Sequence, residues 1–389
     1  MSGEKGFQWT VALVLFGVLF LGVSDTQLVA PLLPLIARDL GTTPGRAGII
    51  VTTYSLAAAV FALIAGPLSD RMGRKRILIS GLTLFALTSF LTYHVSTFTS
   101  LVILRAFTGL SAGTLSTCAL SFAGDHYAYE QRGRAMGILS MGYFVAFVVG
   151  VPAGSLAAAR LGWQWVFGCL SAGSLIMLFV ALARLPRDSS RVMPIRPSLG
   201  LVEHFRKSDR LAGMAAAFLT SGGIVGFLTY LGAWLNTAQG VSIESLGLLF
   251  MVAGLAAVAA SPIAGWLSDH AGKRTVIIWS NVILAFFFLV VARSEWGVGF
   301  VIAVAALSMA ASARQPPLHA LSTEIVGADM RGEYIAVRNA ASQTGIAAVA
   351  AISAMVFDSA GFGAVALVAA AVTILVPLCC IWLREPNAR

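Results

Sequence analysis

The sequence predicts an all-α polytopic membrane protein with twelve transmembrane helices in two pseudo-symmetric bundles of six. Three observations lead to this fold class. The chain of 389 residues is 58% hydrophobic and only 11% charged, whereas a soluble domain carries about 25% charged residues. The apolar residues form long blocks, as membrane-spanning helices require. A polar segment near the middle separates the blocks into two groups. A nucleic-acid binder, a disulfide-rich secreted domain and a disordered chain are excluded.

Each apolar block is long enough to cross a bilayer, for which a helix needs about 20 residues. The first six blocks cover 9–36, 46–68, 77–94, 98–123, 134–158 and 164–183. The second six cover 211–236, 245–267, 275–292, 297–323, 334–357 and 362–383. We therefore expect an N-terminal bundle over 1–184, a cytoplasmic linker over 185–210 and a C-terminal bundle over 211–389.

The lysine and arginine residues are distributed unequally between the two sides of these bundles. If the chain starts inside, 20 of the 26 lie in inner segments and 4 in outer segments. The positive-inside rule then places both termini in the cytoplasm of a multi-pass plasma (inner) membrane protein. The first block is longer than the apolar region of a signal peptide and contains Asp25, so we do not expect it to be cleaved.

The two halves share a sequence motif at equivalent places. Residues 66–76, at the end of the second block, read GPLSDRMGRKR, and residues 265–274, at the end of the eighth, read GWLSDHAGKR. The two copies are 199 residues apart, close to half the chain. Parallel repeats of six spans are typical of alternating-access transporters.

These residues make the chain resemble the major facilitator superfamily over essentially its whole length. Residues 66–76 are similar to its loop signature, and LVILRAFTG over 101–109 to its span 4 motif. GVPAG over 150–154 resembles the exporter motif, and DTQLVAPLLP over 25–34 the span 1 motif of drug:proton antiporters. Val151 replaces the usual glycine before proline, a form shared with arabinose-efflux-permease-like members. The resemblance thus implies an exporter and leaves its substrate open.

Asp25 is the only acidic residue deep inside a predicted span, and such residues often serve transport or proton relays. Arg105 lies about 10 Å below the outer end of its span, and Asp25 about 16 Å below that of its own. Because their depths are close and their charges opposite, we interpret Asp25 and Arg105 as a proton-coupling pair. A salt bridge with a purely structural role is the alternative.

The loop motif suggests a gate at the inner face. Gly66 and Gly73 permit close packing and a tight turn. We expect Asp70 to accept hydrogen bonds from helix N-terminal amides of the other half, and Arg74 to pair with Asp125. Further candidate gating residues are Arg71, Arg76 and Asp269.

Small residues at four-residue spacing indicate close helix contacts in spans 4 and 5. The candidate packing residues are Gly109, Gly113, Gly142, Gly150, Pro152 and Gly154. The spacing fits packing without any functional bias equally well.

Substrate contacts are expected from aromatic and polar side chains inside the spans. The candidates are Tyr54, Tyr143, Phe147, Phe227, Tyr230, Arg314, Asn339 and Gln343. Pro316 and Pro317 must kink the tenth span beside Arg314, so Arg314 either attracts an anionic group or caps carbonyls that the kink frees. We expect His319 to be a structural partner.

The sequence contains no P-loop, HExxH or GxSxG motif, so we expect neither an enzyme nor ATP-driven transport. The leading interpretation is a monomeric secondary transporter that exports small amphipathic or drug-like compounds in exchange for protons. An exporter of sugars or other polar metabolites is one alternative, and a facilitator or lipid translocator without proton coupling is another. The expected partners are a small-molecule substrate, protons and the lipid bilayer.

No metal or other cofactor is expected. The four cysteines lie inside apolar blocks without the spacing of metal ligands. They are Cys118, Cys169, Cys379 and Cys380.

Overall fold

The computed structural model of the protein describes residues 7–186, 204–326 and 330–382. The regular elements in these three ranges are all helices. Most of the expected linker, residues 187–203, lies outside the described residues, as do Lys5, Arg384 and Arg389, which entered the charge count.

Six spans form the N-terminal half. Helix α1 covers Trp9–Asp39, the short α2 covers Pro44–Ala47, and the next spans are α3 (Ile49–Met72), α4 (Arg74–Tyr93) and α5 (Phe98–His126). The fifth span consists of α6 (Tyr129–Val145), a π-helical turn (Ala146–Gly150) and α7 (Val151–Leu161), and the sixth is α8 (Trp163–Arg184).

The C-terminal half repeats this arrangement. Its first three spans are α9 (Ser208–Gln239), α10 (Ile243–Ala271) and α11 (Lys273–Arg293). The next consists of α12 (Val298–Ala313) and α13 (Gln315–Glu324), and the chain continues as α14 (Arg331–Ile374) and the short α15 (Val376–Cys379).

Helix α14 contains parts of two membrane spans. An unbroken helix of its 44 residues would be about 66 Å long, roughly twice the thickness of the hydrocarbon core. Gly361, with φ 75° and ψ −175°, interrupts it. In the described part of the chain, 11 helices are long and apolar enough to cross a membrane, the last being Glu333–Cys379. The break at Gly361 divides that last one, so the twelve predicted spans are confirmed.

Proline explains the two irregular spans. Pro152 has no N–H, so the carbonyl of Val148 loses its helical partner, and a π-turn over Ala146–Gly150 precedes the proline. In the tenth span the helix is interrupted at Arg314, just before Pro316 and Pro317.

The repeated motif forms the same local structure in both halves. Gly73 ends α3 with φ 98°, and Gly272 ends α10 with φ 87°. Glycine adopts this backbone region without the steric cost that other residues incur. We call the end of the molecule that carries these two turns the basic end, and the other the opposite end.

The outer surface of the bundle is apolar. Large side chains there, such as Phe179 (68% exposed), Phe286 (60%) and Ile302 (64%), lie on the helices α8, α11 and α12. Such a surface suits a lipid environment, in which the backbone polar groups must be satisfied within the helices.

Glycines let the two halves approach each other closely. A Cβ atom on Gly232 of α9 would lie 2.5 Å from the carbonyl oxygen of Ala30 in α1. One on Gly247 of α10 would lie 2.7 Å from the Cβ of Ser155. Helix α1 therefore packs directly against α9, and α7 against α10.

Candidate functional site

A buried ion pair lies at the centre of the N-terminal half. Nη1 of Arg105 on α5 donates to both carboxylate oxygens of Asp25 on α1, each at 2.8 Å. The side chains are 1% and 0% exposed, respectively. The matched depths predicted from the sequence thus correspond to a direct contact between these two side chains.

A third side chain, Tyr54 on α3, covers the pair. Its ring centroid lies 4.4 Å from the guanidinium carbon of Arg105, a distance at which a cation is attracted to an aromatic face. The Thr26 hydroxyl, next to Asp25 in the sequence, donates to the Tyr54 oxygen at 2.8 Å. The sequence analysis gave Tyr54 a substrate role but missed its contact with Arg105 and missed Thr26.

Two glycines of α5, Gly109 and Gly113, explain how Tyr54 reaches Arg105. A Cβ atom on Gly109 would lie 2.0 Å from the Tyr54 carbonyl oxygen, and one on Gly113 would lie 2.6 Å from that of Ala58. The backbones of α3 and α5 are therefore in direct contact. Because Gly109 is one helical turn from Arg105, this contact brings Tyr54 to the guanidinium.

A small cavity lies between the halves, beside the pair. Its volume is about 20 Å³, enough for about one water molecule. The lining residues are Thr26, Gln27, Val29, Ala30, Val51, Tyr54, Arg105, Val225, Leu228 and Thr229. In the described structure, the Nε of Arg105 has no hydrogen-bond partner. The cavity is thus charged and polar on the N-terminal side and mostly apolar on the other.

The packing residues of the fifth span lie against α1. A Cβ atom on Gly150 would lie 2.6 Å from the Ser24 hydroxyl, and one on Gly154 would lie 2.3 Å from Leu28. Gly142 similarly faces the backbone of Phe16. The exporter-like motif, with Pro152 at its centre, therefore packs beside the residue that precedes Asp25.

At the opposite end, a carboxylate joins the two halves. Asp358 on α14 accepts hydrogen bonds from the Gly45 amide at 2.9 Å and from the Thr43 hydroxyl at 2.5 Å. The Tyr230 hydroxyl of α9 lies 3.3 Å from the carbonyl oxygen of Gly45. These contacts close the opposite end. The sequence analysis missed Asp358, because acids are common at span ends.

At the basic end, the motif residues pair within one half. Arg74 bonds to Asp70 at 2.8 Å, and it also forms an ion pair with Asp125. The Asp70 and Asp125 side chains are 51% and 65% exposed. The expected contact between Arg74 and Asp125 is present, whereas the ion-pair partner of Asp70 belongs to its own half.

The remaining candidate gating residues are near these pairs or in the second copy of the motif. Arg71, Arg76 and Asp269 are exposed, and Gly66 is half-buried beside Thr117. Their role in a gate stays a prediction.

Arg314 is fully buried inside the C-terminal half. It donates to the Asn281 side-chain oxygen at 2.7 Å and to the Thr220 carbonyl oxygen at 2.8 Å. Thr220 lies on α9, so its carbonyl is not one that the kink at Pro316 and Pro317 frees. His319, the expected structural partner, lies with its Nδ1 2.9 Å from Nη1 of Arg338.

The other substrate candidates occupy diverse surroundings. Phe227 packs against Phe288 and Phe362 at ring distances of 4.5 and 4.9 Å. Tyr143 is 41% exposed, and Phe147 lies beside Gly254. Asn339 is exposed and Gln343 half-buried. Of the eight candidates, Tyr54 is the one that lines the cavity described above.

Comparison with known proteins identifies the family. The profile of the Major Facilitator Superfamily matches residues 15–258 and, in an overlapping second match, residues 213–389. The chain belongs to this superfamily. The MFS-type transporter YceJ of Bacillus subtilis is 30% identical over 267 residues, 68% of this chain and 68% of YceJ.

Two further proteins are similar to this transporter. The 4-hydroxybenzoate transporter PcaK of Pseudomonas aeruginosa is 26% identical over 335 residues, 75% of this chain and 72% of PcaK. The crystal structure of a bacterial homologue of the human lysosomal transporter Spinster, inward-facing and occupied, superposes with a TM-score of 0.79. It is 15% identical and covers 98% of this chain and 97% of its own, so this likeness concerns the fold alone.

Family and architecture together establish the general activity. The protein is a multi-pass membrane transporter of small molecules and not an enzyme. The predicted family, fold class and absence of enzymatic activity are thereby confirmed.

Proposed function

We propose that this transporter exports small amphipathic or drug-like compounds in exchange for protons by alternating access, with Asp25 as the group that binds the proton. The observation that carries the proposal is the Asp25–Arg105 pair, buried at the wall of a cavity between the halves. A buried ionisable group inside a membrane span is costly, and it is usually retained for a function.

The pair supplies a chemical basis for proton coupling. Burial favours the neutral form of a carboxyl group, and an adjacent guanidinium favours the ionised form. A compound that packs against Arg105 from the cavity holds the guanidinium against Asp25 and so favours the ionised carboxylate. The compound and the proton then compete for the same carrier, and this competition ties export of one to import of the other.

The cavity walls support an amphipathic substrate. Val29, Val51, Val225 and Leu228 provide apolar surface beside polar groups such as Gln27. PcaK is named for 4-hydroxybenzoate, which joins an aromatic ring to two polar groups. A sugar would find fewer hydrogen-bonding partners on these walls.

We infer that the basic end faces the cytoplasm of the inner membrane, following the positive-inside rule, and that one chain acts alone. With the opposite end closed by Asp358, the cavity would open toward the cytoplasm. A facilitator, in which the Asp25–Arg105 pair is only structural, is the second candidate, since two buried opposite charges in direct contact compensate each other without any role in transport.

Transport in liposomes tests the coupling. Purified protein is reconstituted, a library of amphipathic compounds and sugars is offered, and accumulation is measured with and without an imposed pH gradient. We expect the gradient to drive accumulation of amphipathic compounds in the parent protein. Asp25→Asn should abolish this accumulation, because the amide cannot carry a proton.

The matched control is Asp39→Asn, which makes the same change at the end of the same helix, where Asp39 pairs with Arg38. This variant should keep the gradient-driven accumulation. Equal accumulation with and without the gradient in the parent, or an Asp25→Asn variant that still responds to it, would establish the facilitator instead.

A further inference from the structure

We propose that Tyr54 is a positioning residue whose ring holds the Arg105 guanidinium against Asp25 and thereby links the cavity to the ion pair. The inference rests on the proposed function, because it explains how the proton-binding group of that function is held.

The contacts of Arg105 give the ring this importance. Its Nη1 atom serves both oxygens of Asp25, while its Nε atom has no hydrogen-bond partner in the part of the chain that the structure describes. The Tyr54 ring lies 4.4 Å from the guanidinium carbon, and the next aromatic ring, that of Phe167, lies 6.0 Å away. Tyr54 is therefore the closer of the two aromatic contacts. Without the ring, the guanidinium gains freedom on the cavity side.

Contacts at the hydroxyl and at the backbone of Tyr54 hold its ring in place. Thr26 donates to the phenol oxygen at 2.8 Å. At the other end, the Tyr54 carbonyl lies so close to Gly109 that a Cβ atom there would be 2.0 Å away. The backbone of Tyr54 is thus pressed against α5, and any movement at this point has to be a rotation of the side chain.

The same ring is a wall of the cavity. A compound larger than one water molecule does not fit into about 20 Å³ unless lining side chains move. Among the lining residues, Tyr54 has the largest uncharged side chain, so its rotation creates the most space without breaking the ion pair. After the rotation the bound compound takes the place of the ring beside Arg105, and in this way occupancy of the cavity reaches Asp25.

Three titratable or charged side chains surround the Tyr54 hydroxyl and ring. They are Asp25 from α1, Arg105 from α5 and Tyr143 from α6. Of the two rings that face the Arg105 guanidinium in the described part of the chain, Tyr54 is the closer, so we assign the positioning to Tyr54.

Infrared titration of the ligand-free, full-length protein in phosphatidylcholine vesicles tests the proposal. The carboxyl band of Asp25 is assigned by its loss in Asp25→Asn, and its midpoint is compared in the parent, Tyr54→Leu and Tyr54→Phe. A guanidinium that moves away leaves Asp25 to take up its proton at higher pH. Tyr54→Leu should therefore raise the midpoint by about one pH unit, about tenfold in proton affinity. Tyr54→Phe keeps the ring and should stay near the parent value.

Two further variants keep the experiment decisive. Tyr54→Met fills a similar volume without a ring and replaces Tyr54→Leu if that protein does not fold. Tyr93→Phe, on α4 beside Trp165, is the control and should leave the midpoint unchanged.

Several results would overturn the proposal: an unchanged or lowered midpoint in Tyr54→Leu and Tyr54→Met, equal shifts in the Leu and Phe variants, or an Asp25 that does not titrate between about pH 4 and pH 10. The proposed function fails separately, through the transport assay of Asp25→Asn. If the midpoint is unshifted in Tyr54→Leu and gradient-driven transport is lost in Asp25→Asn, only the role of Tyr54 is rejected and the proposed function stands.

Discussion

The interface between the two halves is built differently at its two ends. At the opposite end, Asp358 of the C-terminal half accepts hydrogen bonds from Gly45 and Thr43 of the N-terminal half. At the basic end, Arg74 pairs with Asp70 and Asp125, which belong to the same half as Arg74. One set of contacts joins the halves, and the other joins helices within one half.

This difference shows which residues join the two halves in this conformation. Alternating access requires contacts that form at one end while they break at the other. The repeated motif, with Asp70 in its first copy, lies at the end where the Arg74 pairs stay within one half. The contacts that close the opposite end involve Gly45, Tyr230 and Asp358, and these residues belong to neither copy of the motif. The role of the motif as a gate stays a prediction, because its Arg74 ion pairs in this structure join helices of the same half.

The largest expected effect comes from Gly48→Ala, which introduces a clash between the two halves at the closed end. A Cβ atom on Gly48 would lie 1.8 Å from the Tyr230 hydroxyl oxygen, and Tyr230 is completely buried. Overpacking of this kind costs about 1–3 kcal/mol, so the ratio of closed to open protein should fall about 5- to 150-fold. Spin labels at Arg38 and Ser359, in a background without the native cysteines, should report the two helix ends moving apart.

Two variants control this experiment. Gly22→Ala makes the same substitution on α1, where nothing lies within 4 Å of the new Cβ atom, and it should leave the distance distribution unchanged. Tyr230→Phe removes the atom that clashes first, so it should partly restore closure in the Gly48→Ala background. If Gly48→Ala has the same distribution as the parent, the close contact at Gly48 does not hold the opposite end.

A smaller effect at the same end is expected from Asp358→Ala. This variant loses two hydrogen bonds between the halves, and because Asp358 is exposed, the loss should be about 1 kcal/mol, or about fivefold in the closed population. Asp358→Asn keeps one acceptor oxygen and should lie between the parent and Asp358→Ala. The spin-label distances of Gly48→Ala measure both.

Glu295→Ala, which removes another exposed carboxylate at the same end, is the control for Asp358→Ala. If the two variants change the spin-label distances equally, the change comes from the loss of surface charge and not from the loss of the contact with Gly45.

The sequence predicted the spans and the central ion pair for a clear physical reason. A membrane span needs about 20 apolar residues whatever its neighbours are, so hydropathy revealed the spans without knowledge of packing. Asp25 and Arg105 are each costly inside a membrane, so two such residues at similar depth in one bundle were expected to meet. The π-turn before Pro152 also follows from local chemistry, although its extent does not.

The rest of the site depends on how each helix is rotated, which these sequences do not reveal. Helices that are apolar all round have no periodic face to show which side chains point inward. Phe227 and Tyr230 were therefore expected near the substrate as readily as Tyr54, yet Phe227 packs against other aromatic rings and the Tyr230 hydroxyl lies near Gly45. The contact of Tyr54 with Arg105 depends on the close approach of α3 and α5 at Gly109.

The smallest expected effect is that of Asp70→Ala, which removes one carboxylate from the ion pairs at the basic end. In this conformation Asp70 pairs with Arg74 four residues away, and the carboxylate is 51% exposed. An exposed pair of this kind contributes roughly 0–1 kcal/mol, so the variant should fold normally. In the alternative conformation we expect Asp70 to accept hydrogen bonds from helix amides of the other half, and Asp70→Ala removes that acceptor. The variant should therefore favour the form in which the basic end is open. Because the parent already has its opposite end closed, only the minor population can change, and the shift in spin-label distances between Arg71 and Ala336 should be small.

Asp125→Ala, which removes the other carboxylate beside Arg74, is the matched variant, and it should change these distances less than Asp70→Ala does. Equal distance distributions in Asp70→Ala and the parent would remove Asp70 from the gate and leave the motif with its turn at Gly73 as its structural role.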